Sequence, residues 1–486
     1  MKQGFAGKSA GSKASVRLDR ALAARTVLIA VLLLWPLVLF GRPAYIADSA
    51  AYVKGGQAAV EFVRAKVAPP MAATNPATAG APASEAAGVK GVRSIAYSVV
   101  AYAFRAPGNT MIALAILQTL VAAFICAVVL ASAGVRSVRT HAGIGLALAG
   151  ASSLPTFTSF ALPDVFAGIL AASLITLFAS LERLTLGVRL ALVLIASFAV
   201  AAHASIVPLA VWLCFAGAMF AWWFRSRLQQ AAARVAWLFA PLMIGALVTA
   251  AAGFIAFGET SVAAKHYPHA LARSVSDGPA RWYLERECRT PSYEVCEVFG
   301  THLPTTVSGF LFGDNGLDGR ATPEQMDRIR AEEGEIVWRA AMAYPAFEFG
   351  NLARHVVRQA FYFGVRPTRF GDLVTTGSAG EAVFVEMPDR PSPAISVLDL
   401  ATYVLLALCA LWVVLNIRRL SDEQRLVVGL IVSVLAVNAA FCVLASGLTD
   451  RYQARLAWIA PLFVLSFVIS SAGGLAGRFR TPRRED

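Results

Sequence analysis

A chain of 486 residues with 57% apolar and only 15% charged residues is too apolar for a soluble domain and has the balance of repeated bilayer spans. Its formal charge of +13 raises nucleic acid as a possible partner, so the placement of the basic residues has to decide between the two.

Segment 1–25 carries Lys2, Lys8, Lys13, Arg17, Arg20 and Arg25, and no small-x-small cleavage site follows the apolar run behind it. It reads as the lead-in to an uncleaved first helix. Runs apolar enough to span a bilayer follow near 26–41, 109–133, 142–159, 164–180, 187–202, 204–224, 235–257, 398–416, 426–446 and 456–474, about ten in all. With the N-terminus placed in the cytoplasm, the inner segments hold 20 of the 43 Lys and Arg but 6 of the 30 Asp and Glu, which leaves the rest of the chain near neutral. The positive-inside rule then accounts for the whole excess charge. It puts both termini in the cytoplasm, on a bacterial-type inner membrane, and leaves no clustered basic surface for nucleic acid.

These spans divide the chain into an N-terminal transmembrane module (1–257) of about seven spans, an extracytoplasmic segment (258–396) and a C-terminal module (397–486) of about three spans. The first outer loop, 42–107, has helical spacing over 49–66, read as a helix along the membrane surface, and an Ala-, Pro- and Gly-rich stretch from Pro69 to Gly88 that reads as a flexible excursion. Segment 323–360 reads as helical, with Pro323 near a helix start after Thr322, and the whole of 258–396 as a mostly helical cap. Cys126, Cys214, Cys409 and Cys442 fall inside spans as small apolar residues, whereas Cys288 and Cys296 lie in the outer segment, where an oxidising compartment favours a local disulfide.

The candidate chemistry gathers at the outer ends of the spans. Asp48 and Tyr52 follow the first span directly, at head-group depth, which suits a catalytic base as well as a helix cap. Asp164, in Leu162-Pro163-Asp164, begins a helix on the same face and is either a second site acid, able to support a divalent cation, or an N-terminal cap. His203 sits between two spans, where it either meets substrate or is solvated, and Arg93 stands just before the second span. The last outer loop, Asp450-Arg451-Tyr452-Gln453-Ala454-Arg455, puts two arginines on the face that should be poor in positive charge. Arginine pairs bidentately with phosphate, so Arg451 and Arg455 are candidate phosphate clamps, with Tyr52, Arg93, His203 and Tyr452 as substrate contacts.

On the ADSAAY stretch with Asp48, the LPD stretch with Asp164 and the DRYQAR stretch opening the last span, the chain resembles the GT-C superfamily of membrane glycosyltransferases. The resemblance implies an all-α polytopic fold and inverting transfer of a sugar from a polyprenyl-phosphate donor to a lipid or glycan acceptor on the outer face. It implies Asp48 as base and Asp164 as support for the site or for a metal. Position 49 is Ser, without the second acid often found beside the first-loop carboxylate in this family. The rival readings are a transporter or flippase for a lipid-linked or anionic substrate, and a non-catalytic scaffold. Transporters place charges near the bilayer midplane, and these spans are almost free of them.

Overall fold

The computed structural model describes residues 15–67, 93–105, 107–223, 230–258, 260, 265–290, 293–378, 380–388 and 392–478. The stretch from Pro69 to Gly88 lies outside the described residues. The chain is an all-α polytopic membrane protein. Among the described residues, seven helical runs are long and apolar enough to cross a membrane: Ile112–Ser132, Val165–Arg183, Ala204–Trp223, Ala231–Phe257, Pro393–Asn416, Asp422–Ala445 and Asp450–Ser471.

The other three expected spans are shorter or broken. Run 26–41 is divided between α1 (Arg20–Leu33) and α2 (Trp35–Phe40), because Pro36 has no N–H to continue the ladder of α1. Run 142–159 is divided between α6 (Val138–Ala151) and α7 (Leu154–Thr158) at Ser152, whose backbone is extended. The helix Leu186–Ala202, α9, is apolar but has 17 residues. The 42–107 loop contributes α3 (Ala47–Val67) and α4 (Ile95–Ala103), which pack along each other.

At the centre stands α8 (Val165–Ser180), in which every residue is buried. A helix apolar all round needs partners all round. Around α8 lie α5 (Ile112–Ser132), α9, α10 (Val207–Trp223), α11 (Ala231–Phe257) and the C-terminal helices. The peripheral helices turn Met243, Leu247 and Phe254 of α11, and Leu400, Leu411 and Val414 near the C-terminus, outward as exposed apolar side chains, as lipid contact requires.

The cap has a core of its own, built on Leu271, Leu284, Val295, Phe310, Met326 and Ile329. It comprises α12 (His269–Asp277), α13 (Pro279–Glu287), α14 (Glu294–Phe299), α15 (Val307–Leu311), α16 (Leu317–Arg320) and α17 (Pro323–Ala343). Cys288 and Cys296 are joined by a disulfide beside this core. The helical reading of 323–360 resolves into two helices, α17 and α18 (Pro345–Ala360), because Pro345 removes a donor and pushes Tyr344 off helical geometry. Beyond α18 a hairpin of β1 (Leu373–Thr376) and β2 (Ala382–Val385) packs on α3, and the helices α19 (Pro393–Asn416), α20 (Asp422–Ala445), α21 (Asp450–Ala457) and α22 (Ile459–Arg478) complete the chain.

The cap is pinned to the bundle by Arg273. Its guanidinium, 2% exposed, bonds Glu348 of α18 at 2.7 Å and Asp277 at 3.0 Å and donates to the Leu444 carbonyl at the end of α20 at 3.1 Å. Truncating one member of a buried pair strands the other charge, at a cost of about 3–5 kcal/mol. Arg273→Ala is therefore expected to lower the thermal midpoint of the detergent-solubilised protein sharply. The double variant Arg273→Met/Glu348→Leu, which removes both members of the most buried pair and strands only the partly exposed Asp277, is expected to recover part of the loss.

Candidate functional site

The site is assembled from segments far apart in the chain. Ala44 forms a parallel bridge with the 159–161 turn, with its N–H donating to the Ser159 carbonyl at 2.9 Å and its carbonyl accepting from Ala161 at 3.0 Å. This lays the approach to Asp48 beside the approach to Asp164. Gln118 of α5, an amide inside an apolar helix, holds the turn by donating to the Phe160 carbonyl at 2.8 Å, and its own oxygen accepts from the Tyr97 hydroxyl at 2.8 Å. Tyr52 packs edge-on against Tyr97, with centroids 4.8 Å apart, and is 2% exposed. The charges of Asp48, Arg93, Asp164 and Arg451 all act on its hydroxyl, which places Tyr52, the expected substrate contact, beside both carboxylates.

Asp48 is the second residue of α3 and its carboxylate forms an ion pair with Arg93. Arg93 is placed by its neighbour Ser94, which caps α4 by accepting from Tyr97 N–H and donates to the Ala201 carbonyl at 2.6 Å. The cap closes over this pair: the rings of Tyr267 and Phe312 lie 5.5 and 5.9 Å from the Arg93 guanidinium, and the Tyr267 hydroxyl donates to Asp318 at 3.1 Å.

Asp164 occupies the cap position of α8 yet makes no capping hydrogen bond. Its Oδ1 faces Nε of Arg451 and Nη1 of Arg455, each at 3.7 Å. The two arginines therefore meet Asp164 rather than Asp450, which instead accepts from Gly364 N–H at 3.3 Å. Arg455, expected with Arg451 as a phosphate clamp, is 1% exposed. Its Nη1 donates to Ser205 Oγ at 3.0 Å and its Nη2 to Asn438 Oδ1 at 3.0 Å, while its buried Nε has no hydrogen-bond partner among the described residues. Arg451 keeps a side chain 27% exposed, and Arg93 one of 21%. Both guanidiniums at Tyr452 stand near its ring, at 5.4 Å for Arg451 and 5.6 Å for Arg455, while its hydroxyl pairs with Ser446 at 2.6 Å.

His203 is neither free nor simply solvated. Its Nδ1 accepts from Ser205 N–H at 3.1 Å and lies 2.8 Å from Ser205 Oγ, which places the ring proton on Nε2 and makes the Ser205 hydroxyl a donor to His203 and an acceptor from Arg455. Burial pushes the imidazole down to about 4, against the pull of Asp164, so the ring is neutral at pH 7.

Asp48, Asp164, Arg93, Arg451 and Arg455 thus place two carboxylates and three guanidiniums in one constellation, an excess of one positive charge. A divalent cation does not fit it. Each carboxylate already faces a guanidinium, and no group of three or more His, Cys, Asp or Glu side chains with metal-site spacing occurs among the described residues. Sequence reading missed Ser205, Gln118, Asn438, Tyr267 and Phe312. A lone Gln or Asn in an apolar run is a readable signal of a buried network. Nothing local marks the two cap aromatics.

The fold defines a polytopic helical membrane protein with a polar site where the cap meets the spans. Comparison with family models, curated proteins and solved structures finds no match for the chain.

Between pH 6.5 and about 4 the unfolded chain protonates His203 while the native site resists it. The stability this neutral ring contributes is complete above pH 6.5 and is lost as pH falls toward 4. In thermal melts of the solubilised protein, the wild type is expected to lose midpoint faster than His203→Gln over that window. Parallel pH dependences would contradict the assignment.

Proposed function

We propose that the chain is an inverting membrane glycosyltransferase of the GT-C kind, moving a sugar from a polyprenyl-phosphate donor to a lipid or glycan acceptor on the outer face of the membrane. The observation that carries the reading is the pairing of a partly exposed carboxylate, Asp48, with partly exposed arginines, Arg93 and Arg451, at the mouth of the helical bundle.

The donor phosphate is an anion and the site holds a surplus guanidinium. Arg451 and Arg93 are the donors with access to it. When the phosphate draws Arg93, Asp48 loses its counter-charge, and a carboxylate without a cationic neighbour is a stronger base. The acceptor hydroxyl then attacks the anomeric carbon on the side opposite the phosphate. Its proton passes to Asp48 as the new C–O bond forms, and the bond from the anomeric carbon to the phosphate oxygen breaks with its electron pair leaving on polyprenyl phosphate. Positive charge building at the sugar is balanced by Asp48, and negative charge on the leaving phosphate by Arg451 and Arg93. Arg455 and Asp164 are positioning residues that hold Arg451 at the site. No nucleotide is needed, because the phosphate ester of the donor supplies the free energy.

Transfer of labelled sugar from polyprenyl-phosphate donors in membranes containing the wild type is expected, with loss of roughly 10²–10⁴ in rate for Asp48→Asn at equal abundance and fold. An unchanged rate in Asp48→Asn removes the base assignment. Absence of transfer by the wild type with every donor offered overturns the reading in favour of a carrier or a scaffold.

A further inference from the structure

A second polar site lies within the cap, in a cavity of about 560 Å³ that shares no residue with the Asp48 and Asp164 constellation. Its walls come from α13, from the 299–305 turn and from the segment that ends α16.

One wall is the indole of Trp282, and three neighbours fix its plane. Gly278 lies against it so closely that a Cβ there would stand 2.5 Å from the ring, and Gly278 also has φ +122°, which disfavours any side chain. The rings of Tyr344 and Phe347 meet the indole edge to face, with centroids 5.4 and 4.8 Å away. A platform locked in this way loses little freedom on binding. Phe299, a buried ring stacked on Phe310, also lines the cavity and carries the guanidinium of Arg320 5.6 Å from its ring. Around the rim stand the planar polar side chains of His302 and Asn315, both exposed.

An aromatic face, that of Trp282, bordered by planar hydrogen-bonding groups matches a pyranose ring, which presents C–H bonds on its face and hydroxyls around its edge. The charge of the rim narrows the ligand further. Arg281 stands 4.0 Å from Glu285 and is balanced by it, whereas Arg320 has no carboxylate partner among the described residues.

From this geometry we infer that the cap groove binds an oligosaccharide bearing a negatively charged substituent, with a sugar ring stacked on Trp282 and the anionic group on Arg320. The site stands whether or not the chain transfers sugar. If it does, the groove holds an acidic glycan acceptor at a distance from the chemistry.

The test is calorimetric titration of the full-length protein in lipid nanodiscs with trigalacturonic acid, with maltotriose as the uncharged counterpart. Saturable binding of trigalacturonic acid is expected, weakened roughly tenfold in Trp282→Ala. In Arg320→Gln, an exposed position that leaves the cap core intact, affinity for the acid is expected to fall to that for maltotriose. Asp48→Asn is expected to bind as the wild type does, which separates this site from the transfer reaction. No saturation by either sugar up to about 10 mM overturns the inference. So does equal affinity of the wild type for both sugars, or wild-type binding by both cap variants.

Discussion

A guanidinium 1% exposed at the start of a membrane-spanning helix has to be neutralised and hydrogen-bonded, and the pairing of Arg455 with Asp164 organises the rest of the bundle. To reach it, α8 and the C-terminal helices must approach closely. They do so where Gly168 faces Trp458: a Cβ at position 168 would stand 2.5 Å from the indole nitrogen, which itself donates to the Arg455 carbonyl at 3.0 Å. The same arginine reaches Ser205 between α9 and α10 and Asn438 on α20. One buried charge thus ties together four parts of the chain and holds Arg451, one helical turn away, beside Asp164.

The second organising contact is between cap and bundle. The cap has a separate hydrophobic core, but it is not an independent lid. Arg273 and Glu348 seal it onto the end of α20, and Tyr267 and Phe312 cover Arg93. The cation that neutralises Asp48 is therefore shared between the membrane module and the cap. Any ligand that draws Arg93 away from Asp48 also disturbs its aromatic cover, which couples occupancy of the site to the seating of the cap.

The site residues show how position alone divides between structural and chemical roles. Asp164 sits where a helix cap belongs, but its carboxylate is turned to two arginines. Asp48 stands in the first turn of α3 and faces Arg93. In each case a cationic partner distant in sequence outcompetes the local backbone N–H groups, because a charge-assisted pair in a poorly solvated site is the stronger interaction. Tyr52, one helical turn from Asp48, packs its ring on Tyr97 while the charges of Asp48, Arg93, Asp164 and Arg451 all act on its hydroxyl. Arg451 and Arg455 look alike in sequence, four residues apart on one helix, and differ in exposure from 27% to 1%, because Arg455 is enclosed by Ser205, Asn438 and Asp164 while Arg451 keeps an open side.

The sequence by itself determined that this chain crosses a membrane several times, since long apolar runs have no other stable solvent, and that its charges gather at the ends of those runs. It also marked Asp48, Asp164, Arg93, His203, Arg451 and Arg455 by their departure from the apolar background. Where Pro36 and Ser152–Ser153 break the helical ladder, apolarity alone could not register the interruption, because hydropathy is blind to backbone donors. Which arginine meets which acid, which stays open to ligand, and which cap rings close over Arg93 were decided by tertiary structure alone. These contacts join residues from 45 to 291 positions apart, and no local pattern encodes a distance of that kind.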